Sequence, residues 1–563
     1  MKIYKSSKPD IELPELDLLT LLFDSSWCLA KDDTKIHIEA ANPENSMSKA
    51  EARDFVRRVA YVLRNQYGLG ARGPGKDVVL TMSSGNPFIP VFFYSLVAVG
   101  AVFNGASTSF RIAELVQQIN DAKPSLLVCT PEYHAVMAEA AERTGILQER
   151  VLVLDWRTPK RWAIRSPTCA DILQLGHDQM LDWPRITEKK QLEDTTICLL
   201  YSSGTTGLPK GVRLSHWGIV ASTICTMDVA VRYMERCKQE GRGFIFDTIA
   251  HLPMANIAGI DLYSINPFYM GGSTYWMEKY DFESFIGYHK RYRPAYQFSV
   301  PPIWLRIAKS DKVTDHFDGL QIACTGSAPI GYATTREVKA KVGGGKAYVS
   351  QTWGTTETSG VITALDWHVD DKSWSVGDLC PNVRLRILDE HDHDVEDGKP
   401  GELLVGGPIL GQGYYNNEKI TQEAFVDGFY RTGDIGVWKD GLVYIVDRKK
   451  ELIKYKGSQV APAELEALLT SHPKIADAAV IGIWNPQQET EVPRGYVVLQ
   501  QSSSENLLSE QEVMDFVREN LADHKRLRGG VQFVEEIPKS ASGKILRKDL
   551  RFLFGTASPT ARL

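Results

Sequence analysis

An α/β fold in two unequal parts is what this 563-residue chain predicts. Three observations carry that reading. Short aliphatic and β-branched runs alternate with helical patterns through most of the chain, which argues for parallel sheets covered by helices. A charged run, Asp447-Arg448-Lys449-Lys450, interrupts the alternation. A compact α+β pattern follows it, long enough for a small domain of its own. The boundaries are therefore placed at 1–447 for a large N-terminal domain, 448–555 for a small C-terminal domain and 556–563 for a tail.

The elements follow in order. Residues 78–82 (VVLTM) read as a buried strand, and Asn86-Pro87 marks the turn after it. The apolar run 88–103 reads as one buried helix. It is shorter than a bilayer span and contains Pro90 and Gly100, so no transmembrane segment is expected. Residues 126–129 and 151–154 are further buried strands. Residues 156–190 are polar and interrupted by prolines, and read as a surface connection. Residues 196–201 form a strand that feeds a glycine-rich loop. Beyond the boundary, Val513, Phe516, Val517 and Leu521 share a helical face, and 531–534 reads as a strand.

Composition bounds the function. Hydrophobic residues make up 43% and charged residues 24%, which suits a soluble globular enzyme. The net charge of −6 lacks the basic footprint of a nucleic-acid binder, so no nucleic-acid partner is expected. Eight cysteines are scattered without metal-ligand or redox spacing. Cys129 and Cys198 sit in apolar runs and read as small buried hydrophobes in a reducing compartment. No repeat of solenoid period is visible. The polar residues 1–14 predict no secretory leader.

The chemistry concentrates in the run Tyr201-Ser202-Ser203-Gly204-Thr205-Thr206-Gly207-Leu208-Pro209-Lys210-Gly211. Hydroxyls and bare backbone N–H groups cradle phosphate oxygens, and glycine allows close approach. A Walker A loop would need Ser or Thr directly after Gly-Lys, and Lys210 lies between Pro209 and Gly211. An ordinary polar turn is the plain alternative. The run resembles the phosphate loop of the adenylate-forming superfamily, which comprises acyl-CoA synthetases, luciferases and peptide-synthetase adenylation domains. Five further blocks in family order extend the resemblance from about Met47 to Leu550. It implies stacked, mostly parallel α/β sheets and a mobile C-terminal lid.

The resemblance also implies roles. Ser202, Ser203, Gly204, Thr205, Thr206, Gly207 and Lys210 would hold the β- and γ-phosphates of ATP. In Gln351-Thr352-Trp353-Gly354-Thr355-Thr356-Glu357, Thr356 would contact the α-phosphate. Glu357, with Thr206, would hold Mg²⁺, a cation that prefers oxygen ligands. Trp353 stands where tyrosine is commoner and would pack with Gly354 on the adenine. Gly326, Ser327, Ala328 and Pro329 form the adenine segment, for which a simple turn is a serious alternative. Asp434 in Tyr430-Arg431-Thr432-Gly433-Asp434 would accept from both ribose hydroxyls, and Arg448 would reach ribose or phosphate. Lys450 marks the interdomain hinge. Lys454 belongs to the thioester-forming face, with Gln459 nearby. A solvated charge run is the bland reading of residues 447–456. Lys544 in Pro538-Lys539-Ser540-Ala541-Ser542-Gly543-Lys544-Ile545 would bridge carboxylate and phosphates as charge accumulates.

The nearest branch is that of the 4-coumarate–CoA ligases, to judge from the run that begins Lys454-Tyr455-Lys456. The acyl segment departs from it: Leu252-Pro253-Met254-Ala255-Asn256-Ile257 has alanine and asparagine where relatives carry an aromatic and a histidine. Asn256, Ile257, Gly259, Gly326 and Trp353 are the pocket candidates, for an aryl, branched or medium-chain acid. The expected enzyme is a two-step ligase using ATP, Mg²⁺ and coenzyme A. Rivals are transfer to a carrier protein in trans, a luciferase-like oxygenase and a non-catalytic nucleotide binder. The few residues after Lys544 leave no room for a carrier domain in the chain. Ala561-Arg562-Leu563 resembles the peroxisomal import signal of Ser-Lys-Leu type, and the small polar residues before it predict a flexible tail that the import receptor reaches.

Overall fold

The computed structural model describes all residues except 160, 177, 203–208, 371, 372, 374, 457, 501–507, 541, 542 and 555–563. The tail assigned at 556–563 thus lies outside the described residues.

The first sheet is built from β1 (Val78–Met82), β2 (Val102–Gly105), β3 (Leu126–Cys129), β4 (Val151–Asp155), β5 (Ala163–Arg165), β6 (Thr196–Ser202) and β7 (Lys210–Ser215), in the order β7-β6-β2-β1-β3-β4-β5. Its middle is parallel, and β5 and β7 run antiparallel at the two edges. β1, β2 and β3 are buried along their whole length, as strands covered on both faces must be. The apolar run after β1 differs from the single helix expected. Helix α1 (Phe88–Val99) stops at Gly100, which adopts φ 79°, and the chain re-enters the sheet as β2. Only glycine takes that left-handed turn without strain, so Gly100 divides helix from strand.

The connection at 156–190 also differs from a plain surface loop. Trp156, Trp162, Ile164, Ile172 and Trp183 are buried in the main core. The Trp162 indole N–H donates to Asn45 Oδ1 at 2.7 Å. Scattered aromatics without periodicity carry no element signal, so their burial was not legible.

Helix α2 (His216–Gln239) follows β7, capped at Ser215, whose hydroxyl accepts from the Gly218 N–H at 3.1 Å. A second parallel sheet holds β8 (Tyr296–Ser299), β9 (Ile322–Thr325) and β10 (Tyr348–Gln351). Helix α3 (Pro301–Lys309) links β8 to β9, with prolines in its first turn, where a missing N–H costs nothing. Helix α4 (Tyr332–Lys341) links β9 to β10. β11 (Trp353–Thr355) and β12 (Gly360–Ala364) form an antiparallel pair directly after β10. An antiparallel sheet then carries β13 (Arg384–Leu388), β14 (Gly401–Gly406), β15 (Phe429–Lys439) and β16 (Leu442–Arg448).

β16 carries the large unit one residue past the boundary placed at 447, to Arg448, and the elements after it enclose a separate core. These are β17 (Ile453–Tyr455), β18 (Ser458–Val460), α5 (Pro462–Ser471), β19 (Ile475–Asn485), β20 (Thr490–Leu499), α6 (Glu510–Asn520), β21 (Val531–Phe533) and α7 (Arg547–Phe554). Ile453, Leu465, Leu469, Val480, Val497 and Val517 pack together there. Ser509 and Glu512 close a capping box on α6, which aims Val513 and Val517 inward. The small unit rests on α3. Lys309 Nζ donates to the Thr470 carbonyl at 3.1 Å, at the end of α5, and also to that of Ile475.

Candidate active site

Two clusters form on the large unit, and one residue of the small unit adds its charge to the second. β6 and β7 pair so that Lys210 stands opposite Ser202. Ser203, Gly204, Thr205, Thr206 and Gly207 lie outside the described residues. Ser202 Oγ donates to Glu357 Oε1 at 3.2 Å, and the Tyr414 phenol donates to the same oxygen at 3.0 Å. Lys210 Nζ lies 5.2 Å from the centre of the Tyr414 ring. Tyr414 therefore joins the lysine and the carboxylate of two separate motifs. Burial, together with Glu357 beside it, holds its phenol well above the ordinary range, so it stays a donor. Nothing in Gly413-Tyr414-Tyr415 signals that role in the sequence.

The second cluster surrounds Asp434. This carboxylate sits on β15 and is 5% exposed. The Trp353 indole N–H donates to its Oδ2 at 2.8 Å, and Arg448 Nε lies 3.4 Å from Oδ1. Arg448 is brought there because it pairs with Asp434 across β15 and β16. Burial raises the Asp434 carboxyl, while Arg448, the indole N–H and Lys544 pull it down. Trp353 was assigned to the adenine, and its polar edge is committed to the carboxylate.

Lys544 is the small unit's contribution. Burial, then the Arg448 guanidinium, lowers its ammonium to about 8, and Glu451 and Asp434 pull the other way. The Lys544 N–H donates to Ser540 Oγ at 3.2 Å, and its carbonyl accepts from the Ser540 N–H at 2.8 Å. A Cβ at Gly543 would come within 3.0 Å of Val300 Cγ2, just before α3, so a side chain there would crowd the two units. Behind Lys544, Arg547 pairs with Glu451 at 2.5 Å and with Glu466 at 2.8 Å. Burial pushes the Glu466 carboxyl up to about 7 against the pull of Arg547. This support for Lys544 was not legible, because its members lie far apart in the chain.

The remaining candidates divide. Thr356 opens a single turn, Thr356–Thr358, directly before the β12 strand. Gly354 must be glycine, since a Cβ would fall 2.2 Å from the Gly360 carbonyl oxygen. Gly326 is buried, and a Cβ there would reach within 3.0 Å of Thr352 Oγ1. Ser327 and Pro329 are exposed and Ala328 half-buried. Asn256 and Ile257 are half-buried. At Gly259 the place of a Cβ is 2.4 Å from the Pro253 carbonyl oxygen, so this glycine closes its own loop. Lys450 is exposed in the turn after β16, where the Glu451 N–H donates to the Arg448 carbonyl. Lys454 and Gln459 stand opposite each other on the β17–β18 hairpin, both exposed. The structure does not bring them into the Asp434 cluster.

A carboxylate with two O–H donors, a buried acid held by an indole and an arginine, and a lysine near neutral pKa can bind and polarise a nucleotide. Residues 27–415 match the family model described as AMP-binding enzyme, and residues 464–544 match that of the AMP-binding enzyme C-terminal domain. The chain is 44% identical over 547 residues to a putative acyl-coenzyme A synthetase of Emericella nidulans, covering 96% of each. It is 31% identical to a phenylacetyl-CoA ligase of Aspergillus niger, covering 96% of this chain and 97% of the relative. Among solved structures, ATP-bound MatB from Rhodopseudomonas palustris superposes with a TM-score of 0.80 at 26% identity, covering 96% of this chain and 99% of that one. The chain belongs to the AMP-binding enzyme family.

Proposed function

We propose that this protein is an ATP-dependent acyl-CoA ligase that activates a carboxylic acid as its adenylate and passes the acyl group to coenzyme A. The observation that carries the reading is that the Lys544 turn of the small unit packs at Gly543 against Val300 of the large one, where Arg448, Glu451 and Asp434 act on the Lys544 ammonium. Family membership and relatives named as acyl-CoA synthetases and ligases support it.

In the first step a carboxylate oxygen attacks the α-phosphorus of ATP, and pyrophosphate leaves. Both reactants are anionic, so the site must neutralise charge and align them. Lys210 and the loop hydroxyls take the outer phosphates, and Thr356 the α-phosphate. Asp434 accepts from the ribose, and its link to Trp353 fixes the carboxylate's direction. Lys544 places its ammonium between carboxylate and phosphate. Glu357 offers a hard oxygen donor beside the Ser202 hydroxyl, a donor set that suits Mg²⁺. When bound, the cation supplies further neutralisation of phosphate charge. Thr206, its other assigned ligand, lies outside the described residues.

In the second step the thiol of coenzyme A attacks the acyl carbonyl, and AMP leaves. Lys454 and Gln459, exposed here, reach the site by rotation of the small unit about Lys450. Aryl, branched and medium-chain acids are the candidate substrates. The Ala561-Arg562-Leu563 tail directs the enzyme to peroxisomes, which a fluorescent fusion with and without those residues tests.

The reading is tested by mass spectrometry of products from MgATP, coenzyme A and a panel of aryl, branched and C4–C18 acids. Acyl-CoA is the expected product. Adenylate without thioester would point to a carrier-protein acceptor, and no adenylate from any acid would sink the ligase.

A further inference from the structure

One group of buried polar atoms has no part in the chemistry above. Asp261 follows the acyl segment and is 2% exposed, yet neither of its carboxyl oxygens makes a well-formed hydrogen bond among the described residues, the neighbouring Asn266 amide being buried and unsatisfied as well. The hydroxyls of Ser222 and Thr226, one turn apart on α2, are buried and equally unpartnered. Asp261 and Ser222 converge at Gly360. A Cβ at Gly360 would lie 2.8 Å from Asp261 Oδ2 and 3.1 Å from Ser222 Oγ. Gly360 has φ 132° and stands three residues past Glu357, on the strand paired with Trp353-Gly354-Thr355.

A carboxyl group buried without partners is costly, and a site for plain hydrocarbon gains nothing from one. Nor can Asp261 face the reacting carboxylate, which it would repel. What suits it is a donor on the remainder of the substrate. We propose that Asp261 and Ser222 form a polar end to the acyl pocket, and that the acid activated here carries a hydrogen-bond donor, a hydroxyl or an amine, on its acyl portion. This rests on the ligase reading and narrows its substrate class. Burial pushes the Asp261 carboxyl up to about 7, with the neighbouring Asn266 amide pulling down, and either protonation state can accept from such a donor.

The test compares matched acids that differ only in a hydroxyl, an amine or a hydrogen at one position, over aryl and straight-chain skeletons. Formation of adenylate and of thioester is read for the native enzyme, for Asp261→Leu and for Asp261→Asn. The native enzyme is expected to favour a donor-bearing acid over its unsubstituted twin by roughly tenfold or more in kcat/KM. Asp261→Leu should erase or invert that ratio. Asp261→Asn should keep part of the preference for hydroxyl and lose that for amine. If Asp261→Leu does not fold, the native ratio and Asp261→Asn still decide. Activation of unsubstituted acids as fast as their donor-bearing twins overturns this inference and leaves the ligase intact. Absence of adenylate and thioester from every acid, with ATP still bound, overturns the ligase reading and this inference with it.

Discussion

Single residues set the electrostatics of the site. Lys544 works only as a cation, and burial with Arg448 brings its ammonium to about 8. It is protonated below that value, so kcat/KM for adenylation should be level at lower pH and fall as pH rises through about 8. Lys544→Arg should be slower but lose that alkaline limb, because a guanidinium stays charged. An unchanged limb in Lys544→Arg would assign it to another group. Lys544→Ala should lower adenylation by about 10²–10³, the usual scale for one preorganised charge donor. Trp353→Phe tests the indole. It keeps the aromatic bulk, leaves Asp434 with one donor fewer, and should cost about 1 kcal/mol in ATP binding. Calorimetry showing unaltered ATP affinity would remove Trp353 from the nucleotide site.

At the scale of elements, α3 is the docking rail. The loop before it touches the Lys544 turn at Gly543, and its last residue, Lys309, donates to the Thr470 carbonyl at the end of α5 and to the Ile475 carbonyl at the start of β19. A cation at a helix C-terminus is favourable, and such charged hydrogen bonds are worth about 1.5–3 kcal/mol. Lys309→Met should therefore depopulate the docked arrangement and slow adenylation tenfold or more. Thioester formation from preformed acyl-adenylate should be spared, and Lys309→Arg should restore the first step. Equal losses in both half-reactions would mean that Lys309 only supports the fold. Several elements were legible because their signal is local: β1, β3 and β4 as apolar runs, and α6 from its apolar stripe. Gly100 was read inside a helix because the residues on both sides are apolar, and only its positive φ separates α1 from β2. The tryptophans at 156, 162 and 183 gave no signal, since burial of isolated aromatics depends on distant partners such as Asn45.

For the whole molecule, the division at Arg448 matters most. The two units have separate cores, and Lys450 sits exposed in the turn that joins them. A turn at such a place can change φ and ψ without unpacking either core. Lys450→Pro should fix φ there, leave adenylation near its native rate and impair thioester formation. Single-turnover measurement of each half-reaction checks this, and thioester formation at the native rate would contradict rotation about Lys450.

By itself the sequence determined the family, the order of the motifs and the identities of Lys210, Glu357, Asp434 and Lys544. Each lies in a short run whose residue types suit phosphate, ribose or carboxylate. The tertiary structure alone decided which of these meet. Tyr414 joins Lys210 to Glu357, the Trp353 indole is committed to Asp434, and Arg547 braces Glu451 and Glu466 behind Lys544. It also left Lys454 and Gln459 in solvent and set Asp261 against Gly360 without a well-formed hydrogen bond among the described residues. The physical reason is range. Motif chemistry is encoded in neighbouring residues, whereas burial, pairing and pKa arise between residues that only the folded chain brings together.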